Sequence, residues 1–483
     1  MTTPFPNNNE YIGWNTPIRS ETDVKDLVVE GKIPDEIKGS WYRMTPDPFF
    51  PPMYDEENFF AADGVASVFN FANGKVDFKN RYVMTERLIA EQAAGKALFG
   101  KYRNPYTNDP SVEGISGGVA NTTPIIHAGK MFALKEDSLP MELDPYSLET
   151  KGRWDFGGKL RSETVTAHPR FDYDTGEMFL NGYEAGGLGS RDISLAVIDK
   201  AGNLTREEWF EAPYTPWMHD FVVTQEHIVF PLFPTTADLD RMKAGGHHWE
   251  WHPEMPTYIG IMPREGSVKD MRWFKGPGVS AYHFMNAYTE GNKVYLDFSY
   301  TKSHQFPFVR NDCKQPFEPE KMQCPYVRWE FDMSKPGEGW EEYVLCNAVG
   351  DFPRVANKDH MKDYEIGYYI NYQPENGAPE MTGIAHMGFN SLTRLEVKSG
   401  KAKHFSLGPG TTVAEPIHVP SEKPDHEGYL IMEVSLHNEK LTDVVILEAA
   451  NIEKGPIARI KLPFRLRHQV HGTWYPEDEM PKV

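Results

Sequence analysis

Apolar and polar residues alternate in short runs that break at glycine-containing turns, and the unit recurs along much of the chain. SVFNFANGKVDFKNRYV from Ser67, HPRFDYDTGEMFLNG from His168, SLAVIDKAGNLTREEWF from Ser194 and NAYTEGNKVYLDFSY from Asn286 each set apolar or aromatic side chains on alternate sites around a turn. Period-two alternation gives a strand one apolar face, so each run predicts a β-hairpin. Long helical patterns are scarce. Two helices are predicted: Thr85 to Gly100 (TERLIAEQAAGKALFG), from a capping threonine to a glycine, and Thr236 to Gly245. Many short antiparallel strands, with no strict period and no break in composition, predict one large closed all-β architecture. A β-propeller of about four strands per blade suits the length, with the helices as insertions covering one face.

Composition sharpens this picture. The 483 residues include 40 glycines, 38 prolines and 13% aromatics, a stock of turn formers and strand formers. Two or three average domains would fit this length, but large all-β folds run as single units, and residues 1–483 are expected to form one domain. Fifty basic and 70 acidic residues give a formal charge of −20, which argues against nucleic acid and anionic membranes as partners. The N-terminal MTTPFPNNNEYIGWN has neither a basic start nor an apolar run, and no later stretch reaches the ~20 apolar residues of a membrane span. Three cysteines, Cys313, Cys324 and Cys346, are too few for a disulfide framework and suit a reducing cytoplasm.

The candidate chemistry lies in four histidines placed where strands would carry them inward: His168 in TVTAHPRFD, His219 in PWMHDFVV, His283 in SAYHFMNAY and His471 in QVHGTWYP. A metal bound only by neutral imidazoles keeps its full charge, and an Fe(II) centre of this kind leaves coordination positions for dioxygen. A single histidine in an apolar strand is more often a core residue than a ligand, and the chain has 17. The spacing matches no compact metal motif. A propeller answers that difficulty, because inner strands of different blades converge on one axis. The rival cluster His247, His248 and His252, in GGHHWEWHP, looks more metal-like but sits in a Gly- and Trp-rich segment read as a loop.

At this point the chain resembles the carotenoid cleavage oxygenases over nearly its whole length. GKIPDEIKGSWYRMTPDP, FFAADGVASVFNF, HPRFD, MHDF, HFMNAY and LPFRLRHQVHGTW stand in the family's order. The resemblance implies a seven-bladed propeller with Fe(II) on its axis, ligated by His168, His219, His283 and His471. It also implies carboxylates that hold the imidazoles. Glu136 in LKEDSLP and Glu415 in VAEPIHVP match two such positions, while the third reads Asp351 in DFPR, one methylene shorter than the usual glutamate. For Asp351 either the backbone comes closer, a water intervenes, or the residue is a solvated surface acid.

Lys135 stands where the carotenoid-cleaving pattern commonly has tryptophan. A lysine beside a metal centre adds charge near a cation and is costly to bury unpaired. Here the chain is similar to the lignostilbene dioxygenase branch, in which a matching lysine and tyrosine grip the substrate's 4-hydroxyl; Lys135 and Tyr102 stand at those positions. Phe60 stands where that branch has an aromatic that stacks on a substrate ring. Tyr102 and Phe60 could equally be packing residues. The chemistry agrees: an ammonium favours the phenolate, and a phenolate para to an alkene pushes electrons toward the distal alkene carbon.

The expected function is an Fe(II)- and O2-dependent dioxygenase that cleaves the central double bond of 4-hydroxystilbenes to two aromatic aldehydes. An isoeugenol-type oxygenase, cleaving a propenyl phenol to vanillin and acetaldehyde, shares every residue named, and only cavity length beyond the alkene separates the two. Apocarotenoid cleavage is disfavoured because a polyene gives Lys135 no partner. A propeller acting purely as a binding scaffold is the alternative of another class. The expected partner is a small phenolic alkene, and a homodimer is compatible with this reading.

Overall fold

All four predicted hairpins form. Gly64–Ala72 pairs with Lys75–Tyr82, Arg170–Phe171 with Met178–Tyr183, Asp192–Ile198 with Leu204–Glu211, and Phe284–Glu290 with Lys293–Ser299. The computed structural model describes residues 4–306, 309, 319–322, 325–335, 337, 339–377 and 388–481. Cys313 and Cys324 lie outside them, and Cys346 is a free thiol.

Seven sheets of four or more antiparallel strands form the blades of a propeller. Blades 2 to 6 follow the chain in order, blade 4 being interrupted by the separate strand pair Thr235–Ala237 and Trp249–Trp251, with inner strands Thr123–His127, Arg170–Phe171, Val222–Val223, Phe284–Glu290 and Gly350–Arg354. Blade 1 runs Thr22–Val24, Lys75–Tyr82, Gly64–Ala72, Gly39–Pro46, and takes its inner strand, Gly472–Pro476, from the far end of the chain. Blade 7 is built on Tyr429–Leu436, with Thr411–Val413 and Ile417–Val419 on its inner side and the early strand Val28–Gly31 on its outer edge. Both ends of the chain therefore clasp the ring shut.

The apolar core is a set of seams between consecutive blades. In blade 2, Ile125, Phe132 and Leu134 face blade 3, whereas Ile126, Met131 and Ala133 face blade 1. Strand alternation thus serves two seams at once, and Tyr429–Leu436 is buried at every position. Each fully buried Leu, Ile, Val or Phe contributes about 1.5–3 kcal/mol. The seam from blade 7 to blade 1 also contains a fully buried ion pair, Arg43 Nη2 to Glu433 Oε2 at 2.5 Å. Desolvation offsets most of such a pair's attraction, so closure rests on apolar contacts such as Trp41, Phe69, Ile431 and Ile446.

The insertions differ in detail from the sequence reading. The first helix starts at the expected cap, Thr85 Oγ1 accepting from Leu88 N–H, but spans Glu86–Ala94 and stops at left-handed Gly95. Beyond it the Glu91 carboxylate accepts the Leu98 and Phe99 N–H groups, which gives the segment to Gly100 a side-chain partner in place of a helical one. The second helix shortens to Leu239–Lys243 with Asp238 as its cap, because Thr235–Ala237 is used as a strand. Its partner is Trp249–Trp251, so part of the GGHHWEWHP segment is strand rather than loop. The insertions bring Phe60, Tyr102, Trp249 and Trp251 into one apolar cluster with blades 3 and 4, covering one face of the ring. Among the described residues no helix is long and apolar enough to cross a membrane.

Candidate metal centre

Each of the four histidines sits just before an inner strand: His168 ahead of Arg170–Phe171, His219 ahead of Val222–Val223, His283 before Phe284–Glu290 and His471 before Gly472–Pro476. Blades 3, 4, 5 and 1 therefore deliver one imidazole each. One ring nitrogen from each lies within 4.8 Å of the other three, the one such group among the described residues. His168 Nε2 is 2.9 Å from His219 Nε2, which is 3.2 Å from His283 Nε2.

The other three blades supply carboxylates to the remote nitrogens. Glu136, following Lys130–Leu134 of blade 2, places Oε1 3.0 Å from His219 Nδ1. Asp351, in blade 6, lies 2.9 Å from His283 Nδ1. Glu415, in the break between the two inner strands of blade 7, lies 2.9 Å from His471 Nδ1, and its second oxygen accepts from Gly472 N–H and Arg354. Such bonds fix each ring's tautomer and aim the Nε2 lone pair at the axis. Asp351 makes up for its shorter side chain through the backbone: its strand breaks register between Asp351 and Arg354, and Phe352 takes φ +56°. Among the described residues His168 has no carboxylate partner; its ring is crowded by the other three imidazoles.

The donor set fits a transition metal. Two nitrogens about 2.1 Å from one ion and at right angles lie about 3.0 Å apart, as the two shortest separations here do. His471 Nε2 is buried with no hydrogen-bond partner, an orphan that a metal bond would satisfy. Burial, reinforced by the neighbouring imidazoles, pushes His168 far below its ordinary value, and burial takes His471 down to about 4, which keeps both neutral as metal binding requires. Burial also pulls His283 down, but Asp351 beside it outweighs that and the net is upward.

Beside the centre, on the face covered by the insertions, opens a cavity lined by Phe60, Lys135, Tyr282, Phe306, Phe352 and Val470, with His219, His283 and His471 at its floor. Lys135 is 2% exposed. Its Nζ lies 3.9 Å from Glu136 Oε2, 4.6 Å from the Phe60 ring centroid and 5.3 Å from that of Tyr102. Burial holds Lys135 below the usual lysine value, whereas Lys135 and His219 overcome burial to hold Glu136 far below the carboxylate range. Phe60 and Tyr102 stack with centroids 5.8 Å apart, and the Tyr102 hydroxyl is buried with no hydrogen-bond partner.

Nine of the ten residues singled out from the sequence surround the histidine cluster or the cavity beside it, whereas Tyr102 packs against Phe60 and Lys135 and lines a neighbouring pocket with Arg103 and Glu184. The rival histidines do not converge: His248 turns inward to Glu184, while His252 lies beside Glu254. Sequence reasoning overlooked Trp217, whose indole N–H points to Glu136, and Tyr282, which bonds His304. Each stands within two residues of a metal-directed histidine, the signal that could have found it.

The sequence family described as retinal pigment epithelial membrane protein matches residues 15–476. The chain is 40% identical over 476 residues to isoeugenol monooxygenase of Pseudomonas putida, covering 98% of this chain and 99% of that one. It is 39% identical over 486 residues to lignostilbene-alpha,beta-dioxygenase isozyme III of Sphingomonas paucimobilis, covering 99% of both. The crystal structure of Pseudomonas brassicacearum lignostilbene dioxygenase superposes with a TM-score of 0.94 at 38% identity, over 98% of this chain and all of that one.

Proposed function

Because the chain belongs to the carotenoid cleavage oxygenase family and is an alkene-cleaving oxidoreductase of its phenolic-alkene branch, we propose that it cleaves the central double bond of 4-hydroxystilbenes to two aromatic aldehydes. In this reading residues 1–483 act as one oxygenase domain, and His168, His219, His283 and His471 hold Fe(II). Held by these four neutral imidazoles, iron would retain its charge and would supply the activation of O2. Glu136, Asp351 and Glu415 orient three of the four rings.

The observation that carries the reading is a buried ammonium, Lys135, lining the cavity with Tyr102 packed against it. The carboxylate paired with the buried Lys135 is 3.9 Å away, and among the described residues the Tyr102 hydroxyl has no hydrogen-bond partner. Leaving such groups short of hydrogen bonds in an apolar pocket costs free energy that one phenolic oxygen would recover by meeting both. The Lys135 ammonium favours the phenolate, whose lone pair conjugates through the ring to the alkene. Tyr102 donates to the same oxygen, and Phe60 stacks on the ring. Apolar Phe306 and Val470 exclude water from the alkene.

Isoeugenol-type cleavage is the second reading, favoured by the 40% identity to isoeugenol monooxygenase. It uses the same grip and differs in what lies beyond the alkene. Incubation of iron-loaded protein with a 4-hydroxystilbene and isoeugenol side by side tests both: paired aromatic aldehydes at the higher kcat/KM support the stilbene reading, and a preference for isoeugenol overturns it in favour of the second. A net charge of −20 and few cysteines support a cytoplasmic protein without a nucleic-acid or anionic-membrane partner.

A further inference from the structure

The loop that carries Tyr102 is anchored by groups the proposed chemistry does not use. The Tyr102 hydroxyl has no hydrogen-bond partner, so the ring depends for its place on stacking against Phe60 and on the main chain that follows. The next residue, Arg103, adopts φ +55°, a left-handed conformation that a non-glycine residue keeps only when its surroundings impose it. Its guanidinium donates to the Tyr183 hydroxyl at 2.7 Å and to Glu184 Oε2 at 2.6 Å, and lies over the Tyr183 and Trp249 rings. Its carbonyl lies 3.0 Å from His248 Nδ1, and His248 Nε2 lies 2.9 Å from the same Glu184 oxygen. Asn104 extends the anchor, donating to the Met242 and Gly246 carbonyls.

These contacts fix where protons must be. A carbonyl only accepts, so His248 Nδ1 carries a hydrogen. Nε2 faces a carboxylate oxygen, and two bare acceptors repel at 2.9 Å, so a second proton lies between His248 and Glu184. Burial pulls His248 below its ordinary value and Arg103 from the loop adds to that pull, while Glu184, from the end of blade 3, raises it; the two acceptors flanking the ring favour the doubly protonated form against burial. His248, Glu184 and the Arg103 guanidinium are all fully buried or nearly so, which removes competition from water.

We propose that His248, Glu184 and Arg103 form a proton-bearing latch that positions Tyr102 against Lys135, and so sets how strongly the site prefers a free phenol to its methyl ether. The inference rests on the phenol-gripping reading above. The three are positioning residues: none lines the cavity beside the metal centre, and each acts on substrate through Tyr102.

The test compares kcat/KM for a 4-hydroxystilbene and its 4-methyl ether in iron-loaded wild type and in His248→Ala, His248→Asn, Glu184→Ala and Glu184→Gln, with iron content and Tm measured for each. His248→Ala and Glu184→Ala are expected to lower the phenol-to-ether ratio about tenfold with iron retained. His248→Asn guards against a folding failure of the alanine variant; its amide can replace the donor to the Arg103 carbonyl but is too short for Glu184, and it should fall between. Glu184→Gln should lose the ratio as well, because Oε2 faces both His248 and Arg103 and Oε1 accepts from Gly189 N–H, so an amide must turn its N–H groups toward a donor at one end or the other. A ratio unchanged in His248→Ala and Glu184→Ala overturns the latch, as does a wild-type ratio in Glu184→Gln. A merely structural role would lower both substrates' rates together. A wild type that shows no preference for the phenol overturns the phenol grip and the latch with it, an outcome distinct from a preference that the variants fail to move.

Discussion

The floor and the roof of the cavity are built on different principles. At the floor, four inner strands deliver imidazoles and the other three blades supply carboxylates, so three of the four rings are held by a charged hydrogen bond within 3.0 Å. At the roof, Phe60 and Tyr102 come from insertions; Lys135 lines the cavity with its paired carboxylate 3.9 Å away, and among the described residues the Tyr102 hydroxyl packed beside it has no hydrogen-bond partner. A metal site tolerates little misplacement and is fixed by the ring of blades. A substrate site leaves its bonding capacity open, and its identity lies in which groups remain unsatisfied.

The sharpest way to break the comparison is to remove a floor imidazole. His219→Ala or His471→Ala is expected to abolish metal retention and activity together, measured as iron per chain and turnover. Full activity in either variant would remove that residue from the ligand set. Next is the roof: Lys135→Met should keep its iron but lose about ten- to a hundredfold in kcat/KM on a free phenol, the worth of a charge-assisted bond of ~1.5–3 kcal/mol felt in the transition state. Combining it with the substrate's methyl ether should cost clearly less than the two losses multiplied, because both remove one interaction.

Asp351→Asn sharpens the floor. The direct 2.9 Å contact puts Asp351 on a par with Glu136 and Glu415, so about a tenfold or greater loss of iron affinity is expected, measured by chelator competition. A variant that binds iron as tightly as wild type would return Asp351 to a surface role. The smallest expected effect concerns an insertion that builds the roof. Burial raises Glu57 to about 7, so between its ordinary 4.5 and about 7 the folded state holds a proton that the unfolded state has lost. Stability therefore falls as pH rises through that window, by on the order of 1–3 kcal/mol. Glu57→Gln should flatten that slope in denaturant titrations at pH 5 and 8, and an unchanged slope would contradict it.

What was legible in the sequence follows the same division. Hairpins announce themselves through local alternation, and a histidine just ahead of an inner strand is visible once convergence on an axis is granted. The double closure by Val28–Gly31 and Gly472–Pro476 has no local signature, because it pairs the two ends of the chain. The first helix reads too long because nothing in the pattern says that the Glu91 carboxylate will take the Leu98 and Phe99 N–H groups. Asp351 looks a methylene too short until the bulge at Phe352 brings it in. Arg103, Glu184 and His248 are 81 and 64 residues apart, and only the folded chain joins them.

In the proposed reading Lys135 and Tyr102 make this an enzyme for free phenols. That reading is tested most directly by the ratio of kcat/KM for a 4-hydroxystilbene to that for its 4-methyl ether in the iron-loaded wild-type protein, with aldehyde products quantified. A preference of about tenfold or more for the free phenol is expected. Equal rates would reduce Lys135 to a packing residue and return an apolar alkene as the better substrate.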